Sequence, residues 1–330
     1  MKTQGQNDTL IRWVCIAVAA LIGFDAATQP CADVNGDGAV TASDYFAYVE
    51  TPADIDRDGD IDDDDGLLLA ELIQAGESGP DCTPDGPVIV DGWTQFTPSP
   101  DTRQIHVAAD GDDGNDGLRP ESPVRTTARG NRMLRDNHPD WLLIRRGDTF
   151  NEALGGWRKS GRSESEPMVV TTYGEGPRPR LIVPDRGVSM VNHRERREHL
   201  AFVGLHFEGA QPGVGNGFVA TGRYVKDILI EDCYFGAFRV NISFDVAGPE
   251  GNSENIRIRR NVIVDAQNDS HAQGIFADEV NGLLIEENIF DRNGWDHRIG
   301  RSDATIFAHN VYIQRSCNDV VFRGNISMRA

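Results

Sequence analysis

Two groups of residues in this sequence are spaced as chemistry would require. The first is acidic. Asp33, Asn35, Asp37, Thr41 and Asp44 put side-chain oxygens at positions 1, 3, 5, 9 and 12 of a twelve-residue loop, with Gly38 at position 6. Asp54, Asp56, Asp58, Asp62 and Asp65 repeat the pattern around Gly59. Calcium is a hard ion that takes roughly six to eight oxygen ligands, and the glycine permits the sharp turn that wraps them around it. Two bound calcium ions are therefore expected. The second group is mixed: Asp269, His271, Gln273 and Asp278, followed by Asp296, His297, Asp303, His309 and Tyr312. A histidine base, a tyrosine acid and a charge-stabilising cation suit proton abstraction beside a uronic carboxylate with β-elimination. His309 or His271 would be the base and Tyr312 the acid, while Asp269 and Asp278 could hold a further calcium. His309 is the better-fixed base because a strand follows it directly. The alternative is glycoside hydrolysis by two carboxylates, for which Asp245 and Asp278 could pair.

What positions the second group is a repeat. Short apolar strands recur around Leu142, Val169, Leu200, Ile228, Ile256, Leu283 and Val320, at intervals of 27 to 37 residues. Such periods point to a stacked solenoid. Asn261, Asn288 and Asn325 follow the last strands at a constant offset, so their amides should bond one another along the axis. A second strand stack, at 217–219, 242–244, 274–276 and 310–312, aligns Gln273 with His309 and Phe276 with Tyr312. Equivalent residues on adjacent coils stand about 4.8 Å apart, so side chains there can converge. Residues 126–137 read as a helix covering the open first coil. Cys233 and Cys317 lie three coils apart, on the order of 14 Å, too far for a disulfide. Cys233 reads as a small buried hydrophobe.

These patterns carry two resemblances. Residues 30–82, with duplicated EF-hand-like loops each followed by a short helix, resemble the dockerin family. That implies calcium binding and a cohesin-like protein partner, although positions 10 and 11 (Ala42-Ser43 and Asp63-Asp64) differ between the loops. Residues 104–330, opening on Ile105-His106-Val107-Ala108-Ala109-Asp110-Gly111, resemble the right-handed parallel β-helix, pectate-lyase-like superfamily. The fold class expected is all-β, a right-handed parallel β-helix preceded by a small α-helical calcium module. The resemblance implies a polysaccharide substrate. The superfamily spans lyases, epimerases, hydrolases and non-catalytic fibres, so a binding-only adhesin is a further alternative. Asp269-Ser270-His271 faintly resembles the Asp-Pro-His-Asp motif of alginate epimerases.

The rest of the chain frames these domains. It has 330 residues, 39% of them apolar, and a net charge of −20. Residues 31–82 contribute −14 of that charge. Such acidity argues against a nucleic-acid partner. Residues 1–29, with Lys2 and Arg12 before a short apolar run, read as a signal peptide. This implies export, to the medium, cell surface or periplasm, with no membrane attachment after cleavage. Export permits disulfides, and Cys31 and Cys82, which bracket the acidic block, are expected to be bonded to each other. Residues 83–103, rich in proline and glycine, read as a linker. The last repeat ends a few residues before Ala330 without a cap, so the β-helix is expected to be incomplete there.

Overall fold

A computed structural model describes Leu69 and residues 87–90, 93–191, 196–221, 225–245, 253–294, 305–314 and 317–329. The expected signal segment, both calcium loops, Cys31, Cys82 and most of the loop at 291–303 lie outside the described residues. The chain divides into Met1–Asp85 and Gly86–Ala330. In the first unit Leu69 is buried. The second unit holds the parallel sheets.

Alternating apolar residues bury one face of each short strand, and three such strands per coil enclose a core. Successive strands Val225–Glu231, Tyr234–Gly236 and Phe238–Asp245 make one coil. Among the described residues, stacking the coils gives three parallel sheets of eight, seven and six strands, called here sheets 1, 2 and 3. Every pairing among them is parallel, each strand lying beside its counterpart on the next coil. The chain is a parallel β-helix. Non-glycine residues take the left-handed conformation at the corners, among them Asp232 (φ 54°), Ala237 (φ 66°) and Asp265 (φ 54°). Such backbone costs on the order of 1 kcal/mol per residue and persists where the surroundings fix it.

From Leu200 onward the expected register holds: Leu200, Ile228, Ile256, Leu283 and Val320 stack in sheet 1. Val169 is the exception. Leu142 pairs with Val170 and Leu200 with Met168, so Val169 faces outward. Its neighbours Met168 and Val170 are equally apolar, and periodicity could not choose between the faces. The core is aromatic-rich, with Phe207 stacked on Phe235 at 5.0 Å and 11°. Full burial of each such ring contributes roughly 1.5–3 kcal/mol.

The asparagine ladder forms as expected. Asn261 Nδ2 donates to Asn288 Oδ1 (2.9 Å), and Asn288 Nδ2 donates to Asn325 Oδ1 (3.0 Å). Cys233 occupies the preceding place, wholly buried, and burial pushes its thiol up to about 12. Cys233 and Cys317 are both free thiols.

The helix spans Thr127–Met133, shorter than expected, with Thr126 Oγ1 accepting from the Arg129 N–H at 3.1 Å as its N-cap. Gly130 lets it approach: an added Cβ would lie 2.6 Å from Leu142 Cδ1 and 2.8 Å from Val107 Cγ2. The helix thus closes the first coil. The stretch expected as a linker packs instead along sheet 1 over residues 93–101. Phe96 lies on Val169, Ala201 and Leu229, and Trp93 covers the Arg260 guanidinium at 4.9 Å. Trp93 and Phe96 supply apolar contact that a proline-rich reading overlooks.

Candidate active site

The outer face of sheet 3 collects the chemistry. Ile275 and Ala277 belong to the core and Val311 packs against it. Alternation therefore turns Phe276, Asp278 and Tyr312 outward. The register is the one expected: Gln273 opposite His309, and Phe276 opposite Tyr312. His309 is the second residue of the strand Ala308–Gln314, and His271 immediately precedes the strand Ala272–Asp278.

Rings on these two coils touch. His309 and Tyr312 have centroids 4.9 Å apart at 35°, and Tyr312 meets Phe276 at 5.9 Å. His271 stacks on Phe307 at 4.4 Å and 17°. Buried Gln273 donates through Nε2 to the Phe307 carbonyl at 3.4 Å, which holds the segment leading into His309. Beneath the face runs a second amide column that periodicity had not revealed. Asn241 Nδ2 donates to Asn293 Oδ1 (2.9 Å), and Asn293 Nδ2 donates to Asn310 Oδ1 (2.9 Å). Asn310 is thereby anchored next to His309. Gly274 leaves room for this column, since an added Cβ would lie 2.4 Å from the Asn310 carbonyl. The unequal sequence spacing of 241, 293 and 310 hid the column, because the three side chains reach the corner between sheets 2 and 3 from different elements.

His271 and His309 lie at one end of the face, with Tyr312 further along it, and Asp269 is exposed beside His271. Asp278 does not join His309. It pairs with Gln314, five residues beyond His309, or about 17 Å along an extended strand. It is buried, and it faces Cys317, whose thiol burial pushes up with a further push from the Asp278 carboxylate. The expectation that Asp269 and Asp278 share a calcium is corrected by the same geometry. They flank opposite ends of the strand Ala272–Asp278, about 20 Å apart or more, while calcium ligands lie about 2.3–2.6 Å from the ion. Among the described residues no three of His, Cys, Asp and Glu converge on a point that could hold a metal. Asp245 and Asp278 are direct register partners on adjacent strands.

No family model matches the chain, and no curated protein does. Among solved structures it is similar to the lacto-N-biosidase of family GH136 from Eubacterium ramulus. Identity is 14% and the TM-score 0.38, over 67% of this chain and 51% of that one. A rhamnogalacturonan lyase matches at 12% identity and a TM-score of 0.34, over 68% of this chain and 60% of that one. The chain thus spans about half the length of the first and three-fifths of the second.

Proposed function

We propose that this chain is an exported polysaccharide-active β-helix protein, a lyase or epimerase acting on an acidic polysaccharide at the outer face of sheet 3. The observation that carries this reading is the convergence of His309, Tyr312, Gln273 and the His271–Phe307 stack on two adjacent coils. His309 takes the proton next to the uronate carboxylate. The electron pair of that carbon–hydrogen bond forms the new carbon–carbon double bond, and the glycosidic carbon–oxygen bond breaks, its pair leaving with the oxygen. Tyr312 gives its proton to the departing oxygen. In epimerisation the carbanion is reprotonated from the opposite face instead. The flat stacked rings give a sugar ring an apolar bed.

The test is a panel of polyuronates incubated with the full chain, read as unsaturated uronide absorbance, with proton exchange into product as the epimerase readout. His309→Ala should lower turnover by about 10² or more. Neither signal on any polyuronate would overturn the reading. The registered Asp245–Asp278 pair favours glycoside hydrolysis as a second reading, for which saturated products lost in Asp245→Asn would speak. Two further readings stand as proposals from sequence pattern alone. The loops at 33–44 and 54–65 hold two calcium ions, and the module at 30–82 docks on a cohesin-like partner outside the cell.

A further inference from the structure

We propose that residues 88–95 form a gate that lifts off the outer face of sheet 1 while the rest of the molecule stays folded, and that the group it uncovers is the buried carboxylate of Glu231.

The segment that crosses sheet 1 is held unequally along its length. Its later part is fastened by charge and by burial. Ser99 Oγ donates to Glu166 Oε1 (2.6 Å), Arg162 pairs with Asp101 at 2.5 Å, and Arg135 Nη2 donates to the Asp101 carbonyl (2.7 Å). The Arg103 N–H donates to Asp140 Oδ1 (3.0 Å), and Phe96 rests on the buried side chains of Val169, Ala201 and Leu229. Ahead of Phe96 the hold is slight. Val88–Val90 and Trp93–Gln95 pair antiparallel with each other and join no other sheet among the described residues. Two strands alone are marginally stable in water. Two contacts tie them to sheet 1. The Thr94 N–H donates to Glu231 Oε1 at 3.2 Å, and Trp93, 41% exposed, covers the Arg260 guanidinium at 4.9 Å.

The closed gate buries a charge that is poorly matched. Glu231 is 1% exposed, and it faces outward under the strap, since its neighbour Ile230 belongs to the core. Its Oε1 takes the Thr94 N–H and lies 3.6 Å from Arg260 Nη1. No protein group among the described residues donates to its Oε2. Arg260 is drawn the other way, to Glu287 at 2.5 Å. Desolvating a carboxylate costs more than one backbone hydrogen bond and one distant guanidinium return. Lifting residues 88–95 gives up the Thr94 bond and the Trp93 contact, and in exchange it hydrates the carboxylate. Gain and loss are close, which is the condition for local opening well below the stability of the whole fold. Phe96 and the Asp101 pairs stay in place and act as the hinge, stiffened by Pro98 and Pro100. Opening also frees up to about 26 Å of extended chain from residues 88–95, so the gate sets how far the chain before it can reach.

The experiment is native-state hydrogen exchange on the full chain, read residue by residue by mass spectrometry. The N–H groups of Thr94 and Arg103 are a matched pair, each held by one carboxylate. After correction for intrinsic rates, Thr94 should exchange about tenfold faster or more. Trp93→Ala should speed exchange across residues 88–95 and leave Arg103 and the melting temperature unchanged. Glu231→Gln removes the buried charge but keeps an acceptor for Thr94, and should slow exchange at Thr94 about threefold or more. Carbodiimide labelling reads the group uncovered: Glu231 should label in the native wild type, and faster in Trp93→Ala. Equal protection of Thr94 and Arg103 would overturn the gate, because the segment would then open only with the fold. Faster exchange in Glu231→Gln with Arg103 unchanged would make Glu231 the latch instead of the burden, and would overturn the role given to it.

Discussion

Asn288 is the place where the ladder can be broken most informatively. It is wholly buried, and its side chain makes four bonds. Oδ1 accepts from the N–H and Nδ2 of Asn261, both at 2.9 Å. Nδ2 donates to the Ile258 carbonyl (2.9 Å) and to Asn325 Oδ1 (3.0 Å). In Asn288→Ala two partners are partly covered: Asn261 Nδ2 keeps the Ile230 carbonyl, and Asn325 Oδ1 keeps the Asn288 N–H. The Asn261 N–H and the Ile258 carbonyl lose the bonds that Asn288 supplied. Each buried group left unsatisfied costs about 1–3 kcal/mol, so the variant should lose about 2–6 kcal/mol. Asn325→Ala is the natural comparison. Asn325 sits half-exposed on the last described coil, where water replaces part of what is lost, and its cost should be less than half as great. Urea unfolding followed by far-UV circular dichroism measures both, with equal slopes required for the comparison. If Asn288→Ala costs no more than Asn325→Ala, the ladder is a decoration on a fold held by its apolar core alone.

Three other outcomes are expected. Burial tends to raise the Asp140 carboxyl, but hydrogen bonds from Arg135 and from the backbone N–H groups of Arg103 and Arg135 outweigh it and hold it below the usual carboxylate range. A depressed carboxyl contributes stability that is complete above its unfolded pKa of about 3.9 and is lost as pH falls through its lower folded value. Asp140→Asn should therefore be less stable at neutral pH, by about 3 kcal/mol, and should show a smaller further loss below about pH 4 in acid titration of the melting temperature. Gly274→Ala should lose about 1–3 kcal/mol by overpacking, because its Cβ would lie 2.4 Å from the Asn310 carbonyl and 2.9 Å from Asn293 Nδ2; thermal melting measures it. The chelator-treated full chain should take up two calcium ions by calorimetry, one fewer in each of Asp44→Ala and Asp65→Ala, and no uptake by the wild type would remove the calcium module.

The coil repeat was legible because the later strands of sheet 1 obey one rule, an inward apolar residue at alternate positions, with an amide at the next bend in the last three. That rule places Leu200, Ile228, Ile256 and Leu283 in a single stack. It fails at Val169, where three apolar residues in a row erase the alternation. Sheet 2 was not foreseen, because strands as short as Tyr234–Gly236 are too brief for a period to register. The facing pair Gln273–His309 followed from register alone. The separation of Asp278 from His309 was invisible: coil-to-coil spacing brings residues together across strands, while distance along a strand grows with every residue.

The proposed base is held through the amide column. Gln273 and Asn293 are buried, and each is bonded into the wall of the solenoid. Asn310 accepts from Asn293 Nδ2 (2.9 Å), and its own Nδ2 donates to Ser327 Oγ (2.9 Å) and to the Met328 carbonyl (2.8 Å). His309 is joined by peptide bond to Asn310, and Phe307 lies two residues before His309, so the imidazole and one ring of the stack both depend on the strand that Asn310 anchors. His271 lies on the preceding coil. Loosening Asn310 should therefore disturb proton transfer more than the half of the bed that His271 supplies.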